Sequence, residues 1–528
     1  MGNFSNTVEL SRRRLREFSV ISGGPGTVLY DRAALTLRPL STDVASDLAR
    51  ILQGLDGLSD NSQAWPALVD IFQNYELAPV INPLEGTSAL RPSDHKASKP
   101  TVAPERYLNK LAINLANDCN LACTYCYANK GLYGNPERAL LGEDEIEAII
   151  LRFAERYDLI ESVQFMGGEP SMNPGALRRA GEVFERLVGE GRLAAVPKLY
   201  MVTNGLRFTP AFLDVAERYK CELTVSLDGP KEVHDFVRVK AGGGGSYDAI
   251  RRSIVAAKNR GIAIEFEPTF SKRHLDCGMH LIDLCRWFYD EFGVSVLHAP
   301  AMSENRYGTQ PLALTIEDKE REFCAVTEWG LDNLFERGIY LMHGFTARLL
   351  ESFETRVRNK YTCPAGNALL SVSTRGEVSP CWMMTDEAPF AMGSIHDEEF
   401  LGARYREVMA AMDQYELHSH PECRVCPIQP VCFGCKGGDY HATGTMSAKS
   451  DCDWMRSMVA TFAAHLFAHR PAPKTTQGYF ERAPARFTSA PGSISATAVH
   501  RAASAGPLVQ LRVRRSKDLV TPELISSN

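Results

Sequence analysis

Two features that would place the chain in a membrane or on nucleic acid are missing from its sequence. No run of eighteen or more apolar residues occurs in the 528 residues, so we expect no transmembrane helix and no membrane partner. The formal net charge of -6 argues against nucleic acid as a partner, because phosphate binding needs a concentrated basic face. Residues 1–17 are polar and arginine-rich and lack the apolar core of a signal peptide. We therefore expect a cytoplasmic protein.

Cysteine, by contrast, is abundant, with 14 residues. In a reducing compartment, cysteines at CxxC spacings are more often metal ligands than disulfide partners. Most of them form two blocks along the chain. The first block is Cys119, Cys123 and Cys126, and the second is Cys363, Cys381, Cys423, Cys426, Cys432, Cys435 and Cys452. Of the isolated cysteines, Cys221, Cys277 and Cys285 are predicted to be small buried apolar residues, and Cys324 also stands alone.

The first block lies in the loop from Asp118 to Tyr127, directly after the apolar run 111–115. Three thiolates at these spacings suit three irons of one cubic cluster and leave a fourth iron open to a small molecule. A structural zinc site is disfavoured because no fourth Cys or His lies in the loop. A redox CxxC pair would not explain the third cysteine. Tyr125 offers a ring that can lie against a bound purine.

Short apolar runs alternate with amphipathic helical stretches from Tyr107 to about His298. The predicted strands are 111–115, 162–166, 199–203, 222–227, 262–266 and 294–297. The predicted helices are 143–157, 175–189, 210–219, 246–260, 273–292, 315–337 and 344–359. The six strand units predict a parallel sheet with crossover helices, curved into a partial barrel. In such folds the functional residues lie at the carboxyl ends of the strands.

We divide the chain into four segments. They are an amino-terminal module (1–105), a barrel (106–310), a helical bridge with the second cysteine block (311–468) and a disordered tail (469–528). The first segment contains a predicted strand at 26–31, predicted helices at 41–53 and 65–75, and a linker at 88–104. It is either a winged-helix peptide-recognition unit or a packing extension without a binding role.

A glycine turn, Gly167-Gly168-Glu169-Pro170, follows the second predicted strand. Paired glycines let a ligand approach the backbone, and the adjacent carboxylate can receive an ammonium group. A second glycine run, 242–245, is not followed by Lys-Ser/Thr as in a P-loop, so we interpret it as a flexible loop. Glu265 and Glu267 on the fifth strand can point into the barrel, where they would contact substrate, accept a proton or form a salt bridge.

Together these motifs resemble the radical S-adenosylmethionine (SAM) enzyme superfamily. The resemblance rests on the CxxxCxxC loop, the Gly167 to Pro170 turn, and the strand ends at 203–205 and 226–229. The later order of Cys363, Gly376, Cys381 and the remaining cysteines resembles the subgroup with a SPASM domain, which modifies peptides and proteins. The implied fold class is α/β: a partial (β/α)6 TIM-like radical SAM barrel, a C-terminal cysteine-rich SPASM domain and a small N-terminal α+β module.

The resemblance also implies roles for individual residues. Cys119, Cys123 and Cys126 would hold the reducing [4Fe-4S] cluster, whose open iron takes the amino and carboxylate groups of SAM. The residues expected around the rest of SAM are Gly167, Gly168 and Glu169 at the amino group, and Asn204, Ser226 and Asp228 at the ribose. Arg238 would pair with the SAM carboxylate or form an ordinary surface salt bridge.

Two auxiliary [4Fe-4S] clusters would bring the total to three. The family pattern assigns Cys423, Cys426, Cys432 and Cys452 to one and Cys363, Cys381 and Cys435 to the other. The segment 356–362 lacks the upstream cysteine of sulfatase-maturing relatives, so the second cluster would have an open iron or use Cys324. Only two residues separate Cys432 from Cys435, where the usual pattern has three. A zinc ribbon is the alternative for residues 423–435.

The implied function is maturation of a ribosomally made peptide or protein. Reductive cleavage of SAM would yield a 5′-deoxyadenosyl radical that abstracts hydrogen and leads to a thioether or carbon-carbon crosslink or a related modification. The expected partners are a substrate with a leader sequence and an electron donor such as flavodoxin or ferredoxin. Alternatives within the class are a sulfatase-type and a quinohemoprotein amine dehydrogenase maturase. The alternative of another class is a non-catalytic iron-sulfur or zinc-stapled binding protein.

Overall fold

The computed structural model describes parts of residues 18–52 and residues 106–468 except 134, 136, 305–309, 360 and 447–450. The predicted helix at 65–75, the linker at 88–104 and the tail at 469–528 lie outside the described residues. Near the amino terminus, three strands form an antiparallel sheet in the order β1-β2-β3: β1 Phe18–Gly23, β2 Gly26–Asp31 and β3 Thr36–Leu40. The strand predicted at 26–31 is therefore confirmed as β2.

The barrel is a parallel sheet whose strands are separated by helices. Its strands are β4 Tyr107–Asn117, β6 Leu159–Gly167, β7 Lys198–Thr203, β8 Glu222–Val225 and β9 Ile264–Phe266, with a short β5 Ala139–Leu140 antiparallel to β4. The intervening helices are α1 Glu143–Arg156, α2 Pro174–Gly189, α3 Pro210–Arg218, α4 Lys231–Val237, α5 Tyr247–Asn259, α6 Lys272–Asp276 and α7 Leu281–Phe292. The strand order β4-β6-β7-β8-β9 brings all the predicted motifs to one edge of the sheet.

Local sequence explains the helices that cover the barrel. Helix α1 buries Ile146, Ile149, Ile150 and Phe153 on one face, and three acidic residues in its first turn complement the helix dipole. Helix α2 begins with proline, and the side chain of Asn173 accepts a hydrogen bond from the Ala176 amide as its cap. These amphipathic faces pack on the apolar side of the sheet and leave the other side as the barrel lumen.

Two predictions about the barrel need correction. The single helix predicted over 273–292 is two helices, α6 and α7, because the chain turns at Gly278, whose φ is 70°. The sixth predicted strand is only the short β10 Val296–Leu297, and it pairs with β11 Met342–His343 in a separate sheet. Pro268 lies just after β9 and lacks the amide hydrogen that would continue the hydrogen-bond ladder of the barrel sheet.

The carboxyl-terminal part is joined to the barrel through the sheet itself. Its further elements are α8 Ile316–Phe335, α9 Gly344–Thr355, β12 Leu369–Val372, β13 Val378–Ser379, α10 Ala403–Asp413, α11 Pro421–Val425, α12 Lys436–Thr443 and α13 Cys452–Ala468. Strand β12 pairs in parallel with β4, with Leu369 opposite Lys110 and Val372 opposite Ile113. The predicted helices at 315–337 and 344–359 are confirmed as α8 and α9.

Candidate active site

The first cysteine block lies in a loop that follows the carboxyl end of β4. This loop packs against the segment that follows α4. The amides of Ala122 and Thr124 donate to the carbonyls of Val239 and Val237 at 2.8 and 2.9 Å. The charges of Cys123 and Cys126 both act on the Cys119 thiol, so the three sulfurs lie near one another. Burial raises the pKa of Cys123 to about 12, although the nearby Arg238 guanidinium acts to lower it.

The glycine turn packs directly against the start of the cysteine loop. The amides of Gly168 and Glu169 donate to the carbonyls of Ala116 and Asp118, each at 2.8 Å. A Cβ atom on Gly168 would lie 2.1 Å from the Asp118 carbonyl oxygen, so no larger residue fits. The absence of a side chain at position 168 is thus explained by the close approach of two strand ends.

Glu169 is completely buried between β6 and β7. One carboxylate oxygen accepts hydrogen bonds from the Ser171 amide at 2.9 Å and the Thr203 hydroxyl at 2.6 Å, and the other accepts from the Asn204 amide at 2.7 Å. Burial raises the pKa of Glu169, whereas these donors lower it. The carboxylate therefore fixes the relative position of the two strand ends, and about one of its lone-pair sites remains for an ammonium group.

Asn204 and Ser226 lie at the ends of the next two strands. The Asn204 side-chain amide donates to Asn120 at 2.8 Å and lies 3.6 Å from the Cys119 sulfur. The Ser226 amide donates to the Thr203 carbonyl at 2.9 Å, while its hydroxyl has no partner among the described residues. Of these two residues, Ser226 is the one whose side-chain hydroxyl is available to contact a ligand at the edge of the lumen.

Asp228 and Arg238 form a buried ion pair. The Arg238 Nε and Nη2 atoms lie 2.8 and 3.2 Å from the Asp228 carboxylate, which also accepts from the Tyr125 hydroxyl and the Thr269 amide. Burial favours a higher pKa, but Arg238, His234 and the hydrogen bond from Tyr125 together outweigh it and hold the pKa of Asp228 below its usual range. The expected surface salt bridge of Arg238 is therefore wrong. Because all four lone-pair sites of the carboxylate are in use, Asp228 acts as an organising residue.

Tyr125 belongs to the same network. Its ring is 8% exposed, and the Arg238 guanidinium lies 5.3 Å from the ring centroid. The ring thus packs on the ion pair, and its contact with a purine stays a prediction.

Two buried histidines hold the backbone of Asp228, which sequence reasoning missed. The Asp228 amide donates to His234 Nδ1 at 3.2 Å, and His274 Nε2 donates to the Asp228 carbonyl at 2.7 Å. His274 in turn accepts from the Ser271 amide, and His234 lies 2.9 Å from the Ser246 hydroxyl. Burial lowers the pKa of His234 to about 4 and that of His274 as well, so both rings are neutral at pH 7. The sequence carries no signal for this role, because neither histidine has other potential metal ligands at a useful spacing.

Four cysteines of the second block line one cavity of about 370 Å³, which includes space open to solvent. They are Cys423, Cys426, Cys432 and Cys452, and the lining also contains Arg456, Met455 and Ile428. The charges of the first three thiols act on Cys452, whose pKa burial raises to about 12. This is the ligand set that the resemblance predicts for one auxiliary cluster, and a largely apolar wall suits it.

The other predicted auxiliary set is brought together by a buried ion pair. Lys436, next to Cys435, pairs with Glu416, whose other carboxylate oxygen accepts from the Thr362 amide at 3.0 Å. The segments that carry Cys435 and Cys363 are thereby fixed side by side. The charges of Cys435 and Cys363 both act on Cys381, which shows that the three thiols are neighbours despite the short Cys432 to Cys435 spacing.

One prediction about the isolated cysteines is corrected by the structure, and one stays a prediction. The Cys324 thiol on α8 makes a hydrogen bond with Thr461 of α13, and its alternative role as a fourth cluster ligand stays a prediction. Cys277 is exposed at the turn between α6 and α7, whereas Cys221 and Cys285 are buried as expected. The exposure of Cys277 follows from the break in the predicted helix.

Lys110 is a further polar residue of the lumen that sequence reasoning missed. Its ammonium group donates to Gln164 on β6 at 2.9 Å and lies 6.0 Å from the Trp382 ring centroid. Burial lowers its pKa, and the charges of Glu267 and Cys381 oppose that effect. Lys110 therefore connects the barrel lumen to the Cys363, Cys381 and Cys435 group. The alternation of Lys110, Ala112 and Asn114 along β4 was a detectable signal.

The donor sets fit iron-sulfur clusters better than a single ion. Among the described residues, no three or more His, Cys, Asp or Glu side chains converge closely enough to hold one metal ion. A cubic cluster spreads its thiolate ligands over several irons, so they need not meet at one point. In the described part of the chain, no helix has the length and apolar character needed to cross a bilayer.

Comparisons with known proteins agree with this geometry. Residues 113–270 match the model of the Radical SAM superfamily. The radical SAM cyclopropyl synthase TigE of Paramaledivibacter caminithermalis is 23% identical over 290 residues, which are 52% of this chain and 57% of TigE. The AdoMet-dependent heme synthase of Methanosarcina barkeri is 25% identical over 63% of this chain and 93% of its own length. This chain thus spans little more than half of TigE.

The fold is also found in a solved structure. Native anSMEcpe with bound AdoMet matches with a TM-score of 0.55 and 19% identity, over 68% of this chain and 99% of that one. Another structure of the same protein contains AdoMet and the Cp18Cys peptide, with a TM-score of 0.55. The predicted α/β fold class is thereby confirmed. Residues 113–270 of this chain thus match the Radical SAM superfamily, and the fold of the chain is similar to that of anSMEcpe.

Proposed function

We propose that the chain is a peptide or protein maturase that removes hydrogen from a substrate carbon to install a thioether or carbon-carbon crosslink or a related modification. The observation that carries the proposal is the sorting of ten cysteines into three neighbouring sets around one barrel: 119/123/126, 363/381/435 and 423/426/432/452. An electron carrier would not need the polar network built on Glu169 and Asp228.

Each part of the site has an expected task. Cys119, Cys123 and Cys126 would hold the reducing cluster, and Glu169 with the adjacent glycine backbone would receive the SAM amino group. Ser226, whose hydroxyl is uncommitted, is the better ribose contact, while Asp228 and Arg238 keep the loop in place. When bound, the reducing cluster and SAM supply the radical chemistry that removes the hydrogen atom.

The lumen supports a substrate position between two of the cysteine sets. Lys110 precedes Asp118 by eight residues along β4 and the start of the loop that follows it. The charge of Cys381 acts both on Lys110 and on Tyr127, which follows Cys126 directly, so the Cys363, Cys381 and Cys435 set lies beside the lumen near the first cysteine loop. A peptide segment can be held at this point of the lumen, with Lys110 and Glu267 as polar contacts.

A peptide partner is supported by the anSMEcpe structure that contains a peptide. The amino-terminal module remains a candidate for leader recognition, and flavodoxin or ferredoxin for electron supply. A substrate series with and without its leader, assayed on the full chain, tests the first assignment. Equal turnover of both forms would contradict it and favour a packing role.

The decisive experiment uses anaerobically reconstituted protein, dithionite and SAM alone. We expect about twelve irons per chain, at four for each cubic cluster, and release of 5′-deoxyadenosine. Cys123→Ala and Glu169→Ala should abolish this release. Cys277→Ala is the matched control, because that thiol is exposed and belongs to none of the three sets. Bound zinc in place of the auxiliary iron, or no SAM cleavage by the native chain, would favour a metal-stapled binding protein instead.

A further inference from the structure

Arg348 on α9 lies between the two auxiliary cysteine sets. Its guanidinium carbon is 5.2 Å from the ring centroid of Phe433, which follows Cys432 directly and precedes Cys435 by two residues. Phe345, one turn earlier on α9, stacks on the same ring with a centroid distance of 4.5 Å. The helix therefore presents Arg348 to the chain segment that links the two sets.

This half-buried guanidinium has no anionic partner within the described part of the chain. None of the described residues accepts a hydrogen bond from it or forms an ion pair with it. Burial raises the pKa of Glu351, the carboxyl group that acts on Arg348, to about 7 despite the opposing charge of Arg348, so this group is only partly charged at neutral pH. Removing a cation from water without a partner is unfavourable, and such groups are normally paired or hydrogen-bonded.

The groups that face Arg348 indicate which kind of anion can pair with its guanidinium. Besides Glu351, its electrostatic neighbours are Cys432 of one auxiliary set and Cys363 of the other. A cluster held by deprotonated thiolates is an anionic acceptor with several sulfur atoms. The position between the two sets therefore suits interaction with both clusters.

We propose that Arg348 sets the reduction potential of the auxiliary clusters by placing a positive charge and N–H donors beside their sulfur ligands. This inference rests on the proposed function, because it requires that the clusters are present. Net charge and hydrogen bonds to the sulfurs are among the factors that determine iron-sulfur potentials. A nearby cation stabilises the reduced, more negative cluster and raises its potential. Arg348 is thus a tuning residue that acts through the clusters and not on the reacting carbon.

The test is a redox titration followed by electron paramagnetic resonance, in a chain whose reducing cluster has been removed by Cys119→Ala, Cys123→Ala and Cys126→Ala. This background should retain about eight irons. Adding Arg348→Gln should lower the equilibrium constant for one-electron reduction of at least one auxiliary cluster tenfold, which corresponds to about 59 mV. Arg348→Lys keeps the charge and should recover most of the difference.

Arg178→Gln is the matched control, since Arg178 is exposed and pairs with Glu143 and Glu182 on the barrel surface. It should leave both potentials unchanged. An unchanged potential in Arg348→Gln at full iron content would overturn the inference and point to a substrate carboxylate as the partner of Arg348. Loss of auxiliary iron in both Arg348 variants would also overturn it, because the residue would then be needed for cluster assembly. Absence of iron from the background chain itself would instead contradict the proposed function.

Discussion

Asp228 shows how a single buried carboxylate can organise the segments around a site. It joins Arg238, Tyr125 and Thr269 from three different segments. Asp228→Asn would leave the buried Arg238 charge without its partner, which typically costs about 3–5 kcal/mol. We expect a loss of this size in the free energy of unfolding, measured by urea denaturation. Arg238→Met in the same chain should restore part of the loss, and a loss below about 1 kcal/mol in Asp228→Asn would contradict the role.

His234 makes the same network sensitive to acid. Its pKa in the folded chain is about 4, below the ordinary value of 6.5, because burial and Arg238 outweigh the attraction of Asp228 and Asp235. The unfolded chain therefore binds more protons between these values, and stability falls as the pH drops through 6.5 towards 4. His234 alone should account for about 2 kcal/mol of lost stability between pH 7 and pH 5.

Urea denaturation at the two pH values measures this contribution. His234→Gln removes the titrating group but keeps a hydrogen-bond acceptor and a donor, so its stability should change less with pH. His396→Gln is the control, because the His396 side chain is 58% exposed and its partner Glu145 is also partly exposed. An equal pH dependence in His234→Gln and the native chain would contradict the assignment.

At the scale of elements, the site depends on how closely the ends of β4 and β6 approach. Gly168→Ala would force its Cβ into the Asp118 carbonyl, whereas the same change at Gly142 meets nothing within 4 Å. Overpacking of this kind costs about 1–3 kcal/mol. We expect Gly168→Ala to lose that stability and to expose the 118–127 loop to limited proteolysis. Gly142→Ala should behave as the native chain does, and equal protease resistance of the two variants would refute the packing argument.

The sheet also shows which elements a sequence can and cannot predict. Five barrel strands were predictable, because each is an apolar run next to an amphipathic helix. The pairing of β12 with β4 was not, because Leu369–Val372 is a short apolar run that has no helix partner and lies about 250 residues from its neighbour strand. Strand β10 was predicted as part of the barrel but pairs elsewhere, since backbone hydrogen bonds carry no sequence signature.

At the scale of the whole molecule, the amino-terminal sheet is packed on the carboxyl-terminal helices. Tyr30 on β2 is fully buried and stacks on Phe353 of α9 with a centroid distance of 5.9 Å, and Phe353 packs on Phe462 of α13. Tyr30→Ala should cost about 3–5 kcal/mol of stability in thermal or urea unfolding. This packing gives residues 18–40 a structural role in addition to any recognition role.

Tyr30→Phe provides the matched control. The buried Tyr30 hydroxyl has no hydrogen-bond partner among the residues that the structure describes. Removing it should leave stability unchanged or raise it by about 1 kcal/mol. A loss in Tyr30→Phe as large as that in Tyr30→Ala would mean that the hydroxyl, and not the ring packing, holds the sheet in place.

The sequence by itself determined which chemistry is predicted for this protein. The spacing of Cys119, Cys123 and Cys126, the Gly167 to Pro170 turn and the order of the later cysteines are local patterns that a reader of the chain can recognise. The tertiary structure alone decided which polar groups are committed to one another. It paired Arg238 with Asp228, placed Lys110 beside Cys381 and left Arg348 between two cysteine sets. These contacts join residues up to hundreds of positions apart, and burial rather than sequence spacing sets their charges and partners.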